Sequence, residues 1–184
     1  MKPWTKLDAR PLHRGRVFDL EEVRFRHPVE GDSRGFCVLS APDWINIIPL
    51  TPEGRVVMVR QYRFGVEGFT LEIPGGMCDP GEAPAAAARR EMLEESGYDS
   101  RSIAPLGWLH PNPAIQSNRC HTFLARDARK VAEPRPDTNE MFEVTDVALE
   151  DVPRLIASGA ISHSLVVGAF YLFDHRDRAG SRPA

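Results

Sequence analysis

Cysteine is scarce in these 184 residues, with Cys37, Cys78 and Cys120 the whole supply. Widely spaced and odd in number, they make neither a CxxC chelate for zinc nor an even set for a disulfide framework, so a reducing cytoplasmic setting is expected. An excess of positive charge is missing too. Lys and Arg total 23 against 26 Asp and Glu, a net charge of -3, which leaves no overall basic field for nucleic-acid backbone, and no nucleic-acid partner is expected. Long apolar runs are absent as well. The most apolar late stretch, 155–173, is interrupted by Ser158, Gly159, Ser162, His163 and Ser164 and makes a poor membrane span, so no membrane partner is expected. Residues 1–16 carry basic side chains with no apolar stretch behind them, unlike a secretory signal. No internal repeat is present. What remains is 42% hydrophobic and 27% charged, the balance of one well-packed domain with a small appended element.

The pattern along the chain places that appended element first. Segments 16–27 and 35–42 are rich in Val, Phe and Leu and flank the turn-forming Glu30-Gly31-Asp32-Ser33, which predicts a hairpin within an N-terminal β element over 1–42. The main domain, 43–184, opens with β-rich runs at 44–50 and 55–62 around Thr51-Pro52-Glu53-Gly54, and a strand follows at 68–73. Pro74-Gly75-Gly76 ends that strand. A helix is predicted over 83–96 from its Ala, Glu, Arg, Met and Leu, with Pro84 in its first turn and Gly97 at its C-terminal cap. Further strands are expected at 103–110, 119–125 and 141–148. A Pro-rich charged loop fills 126–139, and one or two helices broken at Gly159 fill 150–175.

The chemistry is concentrated in Arg90-Glu91-Met92-Leu93-Glu94-Glu95. Offsets of three and four put all three carboxylates on one helix face, where like charges repel unless a cation joins them, and several carboxylate oxygens suit Mg²⁺ or Mn²⁺. Taken alone, the cluster also fits an exposed acidic face. Its surroundings are more specific. Gly76 is followed after five residues by Glu82, then after seven more by Arg90-Glu91, apolar Met92, Glu94-Glu95, Gly97 and apolar Tyr98. Over 76–98 this resembles the Nudix box at every fixed position. The resemblance implies an α/β/α sandwich with a mixed sheet and magnesium-dependent cleavage of the diphosphate linkage of a nucleoside diphosphate joined to another group. It implies Glu91 and Glu95 as main metal ligands, supported by Glu82 and the Gly75 carbonyl, with Glu94 and Arg90 serving the catalytic machinery. Gly75 and Gly76 are expected to let the backbone approach a metal or phosphate closely. Arg90, four residues before Glu94, can hold a carboxylate in place. Ala83 replaces a Ser or Thr helix cap worth about 1 kcal/mol.

Flanking residues narrow the family. Gln61-Tyr62-Arg63, Leu71-Glu72-Ile73-Pro74-Gly75-Gly76 and Pro111-Asn112-Pro113-Ala114 look like the ADP-ribose pyrophosphatase and nucleotide-sugar diphosphatase branch. Three positions depart from that branch: Gly75 stands where Ala is more common, Ala114 where Gly is usual and Asn118 where Glu is common. The resemblance covers about 44–170. It implies substrate contacts from Gln61, Arg63, Glu72 and Pro113, although Pro113 also reads as an ordinary loop proline and Gln61-Tyr62-Arg63 as a strand with solvated polar ends. Trp44 and Phe18 read as core aromatics rather than base-stacking platforms. The branch takes its catalytic base from a Glu on a loop far downstream of the box, which points to Glu140, with Glu143 as runner-up; Thr138 stands where a second Glu is often found. A homodimer through the N-terminal β element, helping to form the nucleoside pocket, is likewise implied. The expected substrate is a nucleoside diphosphate sugar resembling ADP-ribose, cleaved to a nucleoside monophosphate and a sugar phosphate. The alternatives are a Nudix hydrolase of nucleoside triphosphates or dinucleoside polyphosphates and a non-catalytic ADP-ribose sensor.

Overall fold

A computed structural model describes residues 1–135 and 142–177. The chain forms two compact units, Met1–Pro42 with His110–Arg119, and Asp43–Leu109 with Cys120–Ala184.

The first unit is an antiparallel sheet of β1 (Thr5–Arg14), β2 (Asp19–Arg26) and β3 (Ser33–Ser40), in that order. It has one strand more than the predicted hairpin. β1 alternates only over Lys6-Leu7-Asp8-Ala9-Arg10 before Pro11 and Leu12 break the pattern, and a proline within so short a run reads against a strand. β1 is instead specified by its ladder to β2, from Thr5↔Arg26 to Arg14↔Asp19, and by ion pairs across it: Arg24 with Asp8, and Arg10 with Glu22 at 3.1 Å. All its residues are exposed. Val23 is the one buried hydrophobic residue among those described in this unit.

The second unit is built on a mixed sheet. Its strands are β4 (Trp44–Pro49), β7 (Gly75–Met77), β9 (Ser102–Leu109) and β10 (Cys120–Arg126), ordered β7-β4-β10-β9 with β10 parallel to β4 and the other pairs antiparallel. A second, antiparallel sheet contains β5 (Arg55–Arg63), β6 (Gly68–Glu72) and β12 (Phe142–Ala148), in the order β12-β5-β6. A short ladder joins β8 (Tyr98–Asp99) and β11 (Arg129–Lys130).

Alternation along β4 and β10 divides the core in two. Ile45, Ile47, Phe123 and Ala125 pack with Ala87, Ala88 and Met92 of α1 (Pro84–Ser96), while Ile48 and Leu124 pack with Val166, Ala169 and Phe170 of α3 (Ser164–Leu172). The mixed sheet therefore has a helix on each face, the α/β/α arrangement expected from the box. α2 (Val152–Ala157) ends just before Gly159, whose φ of 79° makes the predicted break between the late helices. Among the described residues no helix is long and apolar enough to cross a membrane.

Candidate active site

The site begins where β6 ends. Ile73 and Pro74 lead into β7, which lies against β4 in the register Asn46↔Gly75 and Ile45↔Gly76. The two glycines answer a packing demand. A Cβ on Gly75 would stand 2.5 Å from the Ile45 carbonyl oxygen and 2.6 Å from Asn46 Oδ1, and one on Gly76 would overlap the Glu91 carboxylate. The close approach expected here is thus made first by the protein itself, since β7 lies directly beneath the acidic helix. Glu95 meets the same strand, its Oε2 accepting the Gly75 amide at 3.0 Å.

The loop after β7 is closed on itself before the helix starts. Glu82 donates its amide to the Asp79 carbonyl at 2.9 Å, and Asp79 returns its own amide to Glu82 Oε2 at 3.0 Å. Pro84 opens α1 behind Ala83, which makes no side-chain cap bond, and Gly97 closes it in the left-handed region with its amide on the Leu93 carbonyl at 2.9 Å. No acidic residue stands in the first turn, so the carboxylates lie further along the helix rather than at its dipole.

Arg90 organises them. Its guanidinium forks onto Glu82 at 3.0 and 2.9 Å, donates to Glu91 at 2.8 Å and Glu94 at 3.1 Å, and reaches the Met77 carbonyl at 3.1 Å. The sequence foresaw the Glu94 bond; the larger share of the guanidinium goes to Glu82, eight residues earlier. That fork, followed by the Asp79 amide, holds the Glu82 carboxyl down at about 2, and Arg90 is raised in turn. Arg89, the other nearby cation on the helix, is forked onto Asp99 at 2.8 and 2.7 Å.

Glu82, Glu91 and Glu94 therefore share the Arg90 guanidinium and Glu95 takes the Gly75 amide, a cluster of negative charge with hard oxygen donors only. That donor set fits a divalent cation such as Mg²⁺ or Mn²⁺, and the residues that would hold it are Glu91 and Glu95 with Glu82 and Gly75 beside them.

The other predicted residues are spread more widely. Gln61 is buried in β5 rather than solvated, and Arg63 at the end of that strand is forked onto Glu72 at 2.8 and 2.7 Å. Burial pushes the Glu72 carboxyl up, but the Arg63 and Thr70 hydrogen bonds outweigh it and leave the group below the ordinary carboxylate range. Pro113 lies in the 110–119 segment of the first unit, and Asn112 Oδ1 accepts the Ala114 amide beside it at 3.3 Å. Glu140 falls outside the described residues. Glu143 is on β12, opposite Arg60 at 3.6 Å. Phe18, expected in the core, is 45% exposed, because the β1–β2 turn that carries it has no layer to sink into; Trp44 is half-buried.

Three side chains were missed. Asn46 is buried within Ile45-Asn46-Ile47-Ile48, where a lone amide in an apolar strand was the available signal. His121 holds Asp43 at 2.8 Å, a tertiary pair with no signal in the sequence, and Thr70 holds Glu72 at 2.5 Å from the same face of β6.

Comparison with known proteins agrees with this geometry. The NUDIX domain model matches residues 42–166. An ADP-ribose pyrophosphatase from Bacillus subtilis (strain 168) is 32% identical over 147 residues, covering 78% of each chain. A methanol dehydrogenase activator from Bacillus methanolicus is 28% identical over 154 residues, 83% of each. The crystal structure of an ADP compounds hydrolase superimposes with a TM-score of 0.85 over 100% of this chain and 98% of that one, at 23% identity, which is a likeness of fold. The complete acidic helix, the mixed sheet beneath it and these matches together make the chain a member of the NUDIX family, a Nudix diphosphatase of the ADP-ribose pyrophosphatase branch.

Proposed function

We propose that the chain hydrolyses the diphosphate linkage of a nucleoside diphosphate sugar resembling ADP-ribose, releasing a nucleoside monophosphate and a sugar phosphate. The observation that carries this is the four-carboxylate cluster arranged around Arg90 and the β7 glycines, in a chain whose Bacillus subtilis relative is an ADP-ribose pyrophosphatase. Glu91, Glu95, Glu82 and the Gly75 carbonyl hold Mg²⁺, with Mn²⁺ as a substitute, and Arg90 keeps Glu82, Glu91 and Glu94 from repelling one another out of place. Bound there, the cation supplies positive charge against the diphosphate and lowers the pKa of water.

Glu140 accepts a proton of the attacking water, the water oxygen bonds one phosphorus, the bond from that phosphorus to the bridging oxygen breaks, and the bridging oxygen leaves with the other phosphate. The flanks of its segment support the assignment: the Arg135 amide bonds the Glu94 carbonyl at 2.7 Å, and Phe142 pairs with Gln61. Both neighbours belong to the proposed site. Arg63, oriented by Glu72 and flanked by Gln61, binds the substrate, and Pro113 shapes the loop that receives it.

In this reading 43–184 is the catalytic domain and 1–42 makes a homodimer and contributes to the nucleoside pocket. Support comes from Trp4, Leu12 and Phe36, large apolar side chains left exposed on the small sheet. Cys37, Cys78 and Cys120 are free thiols, consistent with a cytoplasmic enzyme.

The test is a substrate panel with Mg²⁺ and with Mn²⁺: ADP-ribose, other nucleoside diphosphate sugars, nucleoside triphosphates and dinucleoside polyphosphates. Monophosphate release from a nucleoside diphosphate sugar is expected. Turnover confined to triphosphates or dinucleoside polyphosphates would overturn the substrate assignment.

A further inference from the structure

The 110–119 segment joins β9 to β10 in the chain, yet by its contacts it belongs with the N-terminal sheet. The attachment is specific. The Leu39 amide donates to the Ile115 carbonyl at 2.7 Å, the Ser117 amide donates to the Leu39 carbonyl at 3.1 Å, and Gln116 forms a parallel bridge with Leu39. The segment is thus a short extra strand on the outer edge of β3, which β2 leaves open on that side.

One side chain completes the attachment. Asn118, 2% exposed, donates Nδ2 to the Pro42 carbonyl at 3.1 Å, just past the end of β3. Its Oδ1 is buried with no protein partner. Only the donor end of the amide is engaged, so this position requires a donor. A carboxylate here would face the Pro42 carbonyl oxygen and repel it. Upstream, Asn112 closes a tight turn by accepting the Ile115 and Gln116 amides at 3.1 and 2.8 Å. Pro113 is therefore presented on a turn fixed at one end by Asn112 and at the other by β3 and Asn118.

We infer that the N-terminal sheet holds the Pro113 loop in its binding conformation, with Asn118 as the positioning residue. This rests on the reading above that the loop meets the substrate. The sheet then contributes to substrate affinity through this loop, whatever it also does at a subunit interface. Holding a loop ready lowers the ordering cost of binding and leaves the chemical step untouched, so its loss appears in KM rather than kcat.

The experiment uses the full-length enzyme with ADP-ribose and three variants. Asn118→Ala removes the donor, and Ser117→Pro removes the main-chain bond to Leu39 at an exposed position without touching the buried amide, which covers the case that the first variant folds poorly. Each is expected to raise KM about tenfold with kcat within about twofold. Hydrogen exchange at the Leu39 and Ser117 amides should quicken in Asn118→Ala. The third, Pro113→Gly, tests the loop itself. If Pro113→Gly raises KM while Asn118→Ala and Ser117→Pro do not, the holding role is overturned and the loop's contact with substrate stands. If none of the three moves KM, both fall.

Discussion

The two units of this chain solve the problem of stability in opposite ways. The second buries Ile45, Ile47 and Leu124 of the mixed sheet, Met58 of β5 and Val166 of α3, and its helices offset the ordering entropy with apolar contact. The N-terminal sheet has Val23 alone in its core among described residues and is held by main-chain ladders and surface ion pairs such as Arg24 with Asp8 and Arg34 with Asp32 at 2.8 Å. Exposed pairs contribute little. A three-stranded sheet with so small a core is marginal by itself, so it depends on what it holds and on what covers it. The acidic cluster, by contrast, sits on a helix anchored by Ala87, Ala88 and Met92 in the core, a base on which carboxylates crowd around one guanidinium.

The largest effects should fall on the second unit. Glu140→Gln is expected to reduce kcat by about 10²–10⁴ with Mg²⁺ affinity and KM nearly unchanged. Glu95→Gln should lower turnover by about a hundredfold or more and weaken metal binding, with the fold intact. Rate measured against Mg²⁺ concentration separates the two, and a fully active Glu140→Gln enzyme would move the base to Glu143 or to the box.

Next comes packing. Leu124→Ala should cost about 2–5 kcal/mol in denaturant or thermal unfolding. Val23→Ala should cost about 1–2 kcal/mol and, unlike Leu124→Ala, should weaken the proposed homodimer in sedimentation. Equal effects on association would break the contrast between the units.

A titration sharpens the comparison further. Glu82 is held at about 2 against an ordinary 4.5, so the stabilisation from its Arg90 fork is fully present above pH 4.5 and is lost as pH falls through about 2. In Arg90→Gln the carboxyl should return toward its ordinary value, read by carbon NMR of the Glu82 side chain. The smallest change is expected from Asp8→Asn in the N-terminal sheet, where an exposed pair is replaced and unfolding at moderate salt should not move measurably.

Legibility divided along the same line. The strands at 44–50, 55–62 and 68–73 and the helix at 83–96 were readable within a residue or so, because apolar alternation and helix formers report directly on a buried face. β1 was not, since its short alternation stops at Pro11, and neither were β8 and β11, two residues each, flanked by the Gly97 carbonyl that accepts the Val131 and Ala132 amides at 2.8 and 3.1 Å. Within the site, the spacing of Glu91, Glu94 and Glu95 was visible because a helix converts sequence offset into position on one face.

Sequence by itself therefore determined the acidic helix and the family it belongs to, local patterns with a fixed geometric translation. Only the tertiary structure decided that Arg90 serves Glu82 before Glu94, that Glu72 is buried to orient Arg63, that Gly76 makes room for the Glu91 carboxylate, and that Asn118 ties a loop to the N-terminal sheet. Each of these depends on which residues, distant in the chain, are brought within hydrogen-bond distance. That is set by how the sheets stack and how the strands register, and no local period encodes it.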